Sequence, residues 1–285
     1  MTRNSAILLL SCPDRKGVVA SIAGFIYQHG GNILHADEHS DVDSGTFLMR
    51  VEFDPAEFDI SLNDFARPFA PIAGSFQMQW RLAQSDYRPR MAIMVSKYDH
   101  CLVDLLYRHQ SGELSCEIPC IISNHGESQA IADFYRVPFF LVPVEKENKA
   151  AAERQIRSRF EHNKVDFIVL ARYMQILSDG MVQAYPRRII NIHHSFLPAF
   201  VGSKPYHQAF TRGVKLIGAT SHYVTEVLDD GPIIEQDVAR VSHRDSIEDL
   251  IQKGRDLEKV VLSRAVRWHI ENRVLVYGNK TVVFE

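Results

Sequence analysis

The residues with the clearest chemical potential are Asn191 and His193, within Ile189-Ile190-Asn191-Ile192-His193-His194-Ser195. In an extended chain, positions i and i+2 share a face, so the carboxamide and the imidazole are expected side by side. An amide donor next to an imidazole suits the stabilisation of an oxyanion. The spacing fits equally a strand-end asparagine and a hydrogen-bonded structural histidine. A second candidate is Leu228-Asp229-Asp230-Gly231-Pro232, where Gly-Pro marks a turn. A carboxylate held there could orient His193 or take a proton from water. Two solvated turn aspartates are the alternative. His194, His207 and His222 raise the question of a metal, but their spacing matches no compact ligand motif, so no metal is expected.

Two further segments bear on the ligand. Ala171-Arg172-Tyr173-Met174-Gln175-Ile176-Leu177-Ser178 is apolar for a loop and could wall a flat aromatic ligand, or belong to the core. Ser96-Lys97-Tyr98-Asp99-His100 has no glycine and carries a bulky and an acidic residue. A phosphate cradle needs small residues and free backbone N–H groups, so a nucleotide or ribose phosphate is not expected at that loop.

The elements that must position these residues fall into two groups. Residues 1 to about 83 read as βαββαβ, a ferredoxin-like α+β unit. Its strands are Ile7 to Ser11, Ile33 to His39, Phe47 to Phe53 and Phe76 to Leu82. Its helices are one carrying Val18, Val19, Ile22, Ile26 and His29, and one from Ser61 to Phe69. Residues 84–89, polar and ending in Pro89, read as a linker. From 90 to 285, apolar strands alternate with helical stretches, which predicts a Rossmann-like, mainly parallel sheet covered on both faces. Asn191 and His193 would then stand at the carboxyl end of a parallel strand, where open α/β sheets bind ligands. A long helix over Ser246 to Asn272 and a hairpin around Gly278-Asn279 close the chain.

Bulk composition narrows the classes. The 285 residues are 46% hydrophobic and 24% charged, with net charge −3. No basic field is available to follow a phosphate backbone, so nucleic acid is not expected as a partner. No apolar run of 18 residues suggests a membrane span. Met1-Thr2-Arg3-Asn4 leads into a short strand without the apolar region of a secretory signal, which gives a cytoplasmic expectation. Cys12, Cys101, Cys116 and Cys120 then read as reduced, structural thiols.

Taken together, these segments resemble the folate-dependent formyltransferase family. Asn191-Ile192-His193 with Ser195 and Leu197-Pro198 is similar to that family's Asn-Ile-His…Ser-Leu-Leu-Pro signature, and Leu228 to Pro232 is similar to its Leu-Asp-Gly-Gly-Pro segment. Pro205 to Ala209 also resembles the family. The resemblance implies catalytic roles for Asn191, His193 and Asp229. It also implies a pterin slot formed by Met174, Gln175, Ile176 and Leu177 with the loop carrying Thr225, Val227 and Leu228. The phosphate loop of the glycinamide ribonucleotide transformylases is replaced by Lys97 to Cys101, and His194 stands where those enzymes have proline. Cys12 to Val19 with Gly31-Asn32-Ile33 resembles an ACT domain. An ACT unit joined to a formyltransferase-like unit is the arrangement of the formyltetrahydrofolate deformylases.

The resemblance implies hydrolysis of 10-formyltetrahydrofolate to formate and tetrahydrofolate, with no separate cofactor. Such a reaction would balance the one-carbon folate pool and supply formate for purine biosynthesis. His194 is a candidate for catalytic support. An amino-acid effector, glycine or methionine, is expected near Asp14, Gly17, Asn32 and Ile33, and ACT pairing implies a homo-oligomer. Two other readings stand beside this one: a formyltransferase to an unidentified amine, and a non-catalytic amino-acid sensor.

Overall fold

The computed structural model describes residues 4–198 and 205–285. Residues 1–3, on which the expectation about a leader partly rests, lie outside the described residues. The chain divides into two units, Met1–Tyr87 with Glu271–Glu285, and Arg88–Ile270.

In the first unit the elements are β1 (Ala6–Pro13), α1 (Val18–Gln28), β2 (Asn32–Asp41), β3 (Thr46–Asp54), α2 (Ala66–Phe76) and β4 (Gln79–Gln84). The sheet order is β2-β3-β1-β4 with every neighbour antiparallel, the expected ferredoxin-like sandwich. Alternate residues Leu8 and Leu10 of β1 and Met49, Val51 and Phe53 of β3 meet Ile22, Phe25 and Ile26 of α1 in one core. Two boundaries differ from expectation. The helix expected over Ser61 to Phe69 begins at Ala66 and continues through Pro71 to Phe76. Burial of Phe69 and Ala73 against the core outweighs the backbone N–H that Pro71 lacks. Phe76 therefore ends a helix rather than starting a strand; Gln77 turns the chain in a left-handed conformation (φ 57°) and β4 follows.

The second unit comprises β5 (Arg90–Val95), α3 (His100–Gln110), β6 (Glu117–Ser123), α4 (Gln129–Phe134), β7 (Phe139–Leu141), α5 (Lys149–His162), β8 (Phe167–Ala171), α6 (Asp179–Ala184), β9 (Ile189–His193), α7 (Pro205–Arg212), β10 (Leu216–Tyr223), β11 (Ile233–Arg240) and α8 (Ile247–Ile270). The short helices α4 and α7 carry too little periodicity to read from sequence. The seven-stranded order is β11-β10-β9-β8-β5-β6-β7. Strands β5 to β9 run parallel, and β10 and β11 run antiparallel. Met91 to Val95 and Phe167 to Ala171 are buried throughout, as strands covered on both faces must be. The chain leaves β5 toward β6 on one side and returns to β8 on the other. Their carboxyl ends thus diverge at a switch point, the usual opening for a ligand.

The closing hairpin, β12 (Val274–Tyr277) and β13 (Lys280–Val283), belongs to the first unit rather than to a second domain running from 90 to 285. Arg50 Nε donates to the Asn272 carbonyl at 3.1 Å, and Lys280 pairs with Asp41 at 3.2 Å. The hairpin's sequence pattern gives its strands but not the sheet that receives them. Among the described residues, no helix is long and apolar enough to cross a membrane.

Candidate active site

Strand β9 delivers Asn191 and His193 at its carboxyl end, and β10 places His222 opposite Asn191 and Thr220 opposite His193. The His222 ring is fixed at both nitrogens. Nδ1 lies 3.0 Å from the Tyr223 carbonyl, which can only accept, so Nδ1 carries a proton. In the neutral ring Nε2 is then an acceptor, and Asn191 Nδ2 donates to it at 3.2 Å. Asp229 Oδ2 stands 3.2 Å from His193 Nδ1, and its Oδ1 stands 3.7 Å from His222 Nε2. Burial opposes ionisation of Asp229. His193 outweighs that and holds its carboxyl well below the usual range. His193 is only 5% exposed, and its Nε2 has no partner.

The loop that brings Asp229 here is tightly constrained. Asp229 has φ 55°, a left-handed conformation that aspartate tolerates better than most side chains. Two residues on, a Cβ on Gly231 would lie 1.7 Å from the Tyr223 carbonyl oxygen, so only glycine fits that approach. Tyr223 N–H donates to the Pro232 carbonyl at 2.9 Å and ties the loop to β10.

A cleft of about 500 Å³ opens over these groups. Asn191, His193 and Asp229 line it, as do the expected pterin residues Met174, Gln175, Ile176 and Leu177 and the loop residues Thr225, Val227 and Leu228. Met174 and Ile176, after β8, and Val227 and Leu228, after β10, are exposed apolar side chains. Large exposed apolar groups beside a few convergent polar ones are the chemistry of a small-molecule site. Ser96 Oγ accepts from the Met174 N–H at 3.0 Å and anchors this wall to the end of β5.

Residues 89–266 match the formyl transferase family and residues 6–62 the ACT domain. The chain is 55% identical over 284 residues to the formyltetrahydrofolate deformylase of Synechocystis sp., covering 100% of both. It is 49% identical over 278 residues to that of Bacillus subtilis, covering 97% of this chain and 93% of the relative. The crystal structure of a formyltetrahydrofolate deformylase from Pseudomonas syringae pv. tomato superposes with TM-score 0.97 at 50% identity, covering 100% of this chain and 96% of that one. The chain belongs to the formyltetrahydrofolate deformylase family. The crystal structure of a glycinamide ribonucleotide transformylase from Symbiobacterium toebii superposes with TM-score 0.66 at 28% identity, covering 70% of this chain and 95% of that one.

Several residues at this deformylase-family site were not marked by the sequence reading. His222 entered it as a metal candidate or as a histidine near an anionic substrate, yet it orients Asn191. Glu258 of α8, 1% exposed, accepts from Tyr206 Oη at 2.6 Å and bonds His100 Nε2 at 2.7 Å. Gly254, one turn earlier, leaves the space in which the Tyr206 ring lies. Arg172, directly after β8, stands 3.4 Å from Glu258. Burial opposes the Glu258 charge, but His100, Arg172 and Tyr206 outweigh it and lower the carboxyl below its usual range. The signal available was a carboxylate in the apolar stripe Leu250, Val261, Leu262 and Ala265 of α8.

His194 also lines the cleft. Burial, reinforced by the Arg172 charge and opposed by Glu258, pulls its imidazole down to about 4. It is therefore neutral at physiological pH. His194, His207 and His222 form no metal-binding group among the described residues; His100, Cys101 and Glu258 do come within 4.8 Å of one another. That set suits a cation poorly. Both Glu258 oxygens are engaged, and burial and the Glu258 charge push the Cys101 thiol up, away from the thiolate a metal requires. All four cysteines are buried and free.

The residues expected around the effector are not brought together within one copy of the chain. Asp14 and Gly17 lie past the end of β1, whereas Asn32 and Ile33 begin β2 beside Asp54 and Phe53. Strand register sets the two pairs at opposite ends of the sheet, roughly 25 Å apart at about 3.3 Å per residue.

Proposed function

We propose that the protein hydrolyses 10-formyltetrahydrofolate to formate and tetrahydrofolate, with Asn191, His193 and Asp229 as the catalytic group. The observation that carries this is the bare Nε2 of His193 in a ligand-sized cleft, backed through Nδ1 by an ionised Asp229. The pterin occupies the apolar slot between Met174–Leu177 and Thr225–Leu228, and the formyl carbonyl lies against Asn191. Asp229 is too weak a base to hold a proton, so His193 Nε2 accepts one as water attacks the formyl carbon. The imidazolium, stabilised by Asp229, and the second N–H of Asn191 Nδ2 then face the oxyanion. Transfer of the proton from His193 to N10 breaks the C–N bond; formate leaves with the release of one proton overall. His194, neutral here, supports the site as a hydrogen-bonding partner rather than as a cation.

Water is the acceptor in this reading. The loop after β5 carries Tyr98 and Asp99, and the buried Glu258 carboxylate is bonded to His100 beside it. That loop has no glycine and carries the bulky Tyr98, so it lacks the small-residue cradle that a phosphate-bearing amine needs. No separate cofactor takes part. The reaction runs in the cytoplasm, balances the folate pool and provides formate for purine synthesis. Glycine or methionine acts at the ACT unit, and because Asp14–Gly17 and Asn32–Ile33 lie far apart in one copy, a site using both draws on two copies in a homo-oligomer. The test is formate release from 10-formyltetrahydrofolate with no amine present. Stoichiometric formate and tetrahydrofolate are expected; turnover that appears only when an amine is added would refute hydrolysis.

A further inference from the structure

Arg172 is a nearly buried cation with donors left over. It is 8% exposed, and its Nε and Nη1 are buried without a hydrogen-bond partner. Glu258 Oε2, at 3.4 Å, is close enough to attract it but is not aligned as an acceptor. The Tyr98 ring centroid, 5.5 Å away, supplies no acceptor oxygen. A guanidinium is charged at any working pH, so leaving its planar fork unmatched in a buried place is costly. Such a residue calls for a ligand atom.

The position indicates which ligand. Leu170 of β8 pairs with Asn191 of β9, so Arg172 stands level with His193, one strand away. Adjacent strands are about 4.8 Å apart. Arg172 holds a left-handed backbone (φ 64°) at this point and lines the same cleft as His193 and Asn191. Each bare N–H can donate a charge-assisted hydrogen bond to a carboxylate oxygen. Formate is the smallest carboxylate, and hydrolysis at His193 generates it beside this guanidinium.

We propose that Arg172 is the subsite for the product formate, receiving the carboxylate after C–N cleavage while tetrahydrofolate still fills the pterin slot. The proposal rests on the hydrolase reading above. Glu258 competes with the product for the same guanidinium, so it keeps formate binding weak and lets the anion leave. His194, held neutral, adds no second cation that would trap it.

The test is titration of the resting full-length protein with 13C-labelled formate, followed by NMR line broadening, with chloride as the control anion and circular dichroism as the check on folding. Wild type is expected to bind formate in preference to chloride. Arg172→Gln should weaken that binding at least tenfold, and Arg172→Lys should recover part of it. Glu258→Gln keeps the side-chain shape and one acceptor oxygen but removes the competing charge, so it should tighten formate binding several-fold. It thereby provides a gain-of-binding arm if Arg172→Gln fails to fold. Formate binding unchanged in Glu258→Gln and in folded Arg172 variants would overturn the proposal. So would wild type that releases formate from 10-formyltetrahydrofolate yet binds none, an outcome that leaves the hydrolase reading intact. Formate binding by a wild type that releases no formate would instead defeat the hydrolase reading and, with it, formate's assignment as a product.

Discussion

Asp229→Asn isolates the charge at the centre of the site. The carboxylate is 3.2 Å from His193 Nδ1 and lies in a half-buried loop. An asparagine of the same shape can still accept the Nδ1–H through its carbonyl oxygen, so the ring's orientation and tautomer survive. What is lost is the attraction between a carboxylate and the imidazolium that forms as water is deprotonated. Two unit charges about 4 Å apart attract by about 4 kcal/mol at an effective dielectric of about 20. Because the imidazolium exists only along the reaction path, that loss falls on the barrier, and kcat should drop about 10³-fold. The pterin slot is untouched, so KM should move far less. Steady-state formate release and folate titration, made on the same preparation, separate the two effects. A variant whose kcat stays within about tenfold of wild type would show that His193 is not the proton carrier. Equal losses in kcat and in folate affinity would show that Asp229 serves binding instead.

Two other perturbations follow from the same geometry. The His194 imidazole titrates near 4 in the folded protein and near 6.5 when unfolded, so the unfolded chain takes up the proton first. Its contribution to stability is complete above about pH 6.5 and is lost as pH falls through 4, up to about 3 kcal/mol by linkage. Urea midpoints should therefore fall more steeply over that window in wild type than in His194→Asn, and parallel curves would contradict the burial argument. Gly231→Ala drives a Cβ into the Tyr223 carbonyl oxygen and should cost about 1–3 kcal/mol. Because the displaced loop carries Asp229, turnover should fall at least tenfold, while Gly126→Ala, which meets nothing within 4 Å, should leave both unchanged in the same thermal-melt and activity assays.

The parts of this architecture that repeat with a short period were legible before folding. The buried runs of β5 and β8 are where the sequence puts them, and Val18, Ile22 and Ile26 of α1 face the core although Val19 is exposed. Phe47, Met49, Val51 and Phe53 of β3 are buried as their spacing suggests, but Leu48 and Arg50 on the other face are buried as well. Errors came where a tertiary contact overrides the local signal. The helix expected to end at Phe69 instead runs through Pro71 to Phe76, carried by the packing of Phe69 and Ala73. The last hairpin has a clear turn, yet nothing within its strands says that it joins the ferredoxin-like unit.

The site divides along the same line. Asn191 and His193 could be paired from spacing because two residues of one strand must share a face. Asp229 was tied to them only through family resemblance, and its left-handed backbone and the glycine that permits it emerge from the fold. His222 lies 31 residues from Asn191 and reaches it solely through the antiparallel register of β10 on β9. A slip of one residue would turn His222 to the opposite face and leave the Asn191 amide without its anchor. The register is held on the far side too: β10 pairs with β11 through an irregularity at Ser221/His222, and the Tyr223 N–H bonds Pro232 in the loop that carries Asp229. One stretch of backbone, Ser221 to Tyr223, thus sets the amide, the second imidazole and the carboxylate together, so a strand outside the Asn-x-His motif determines whether that motif can act.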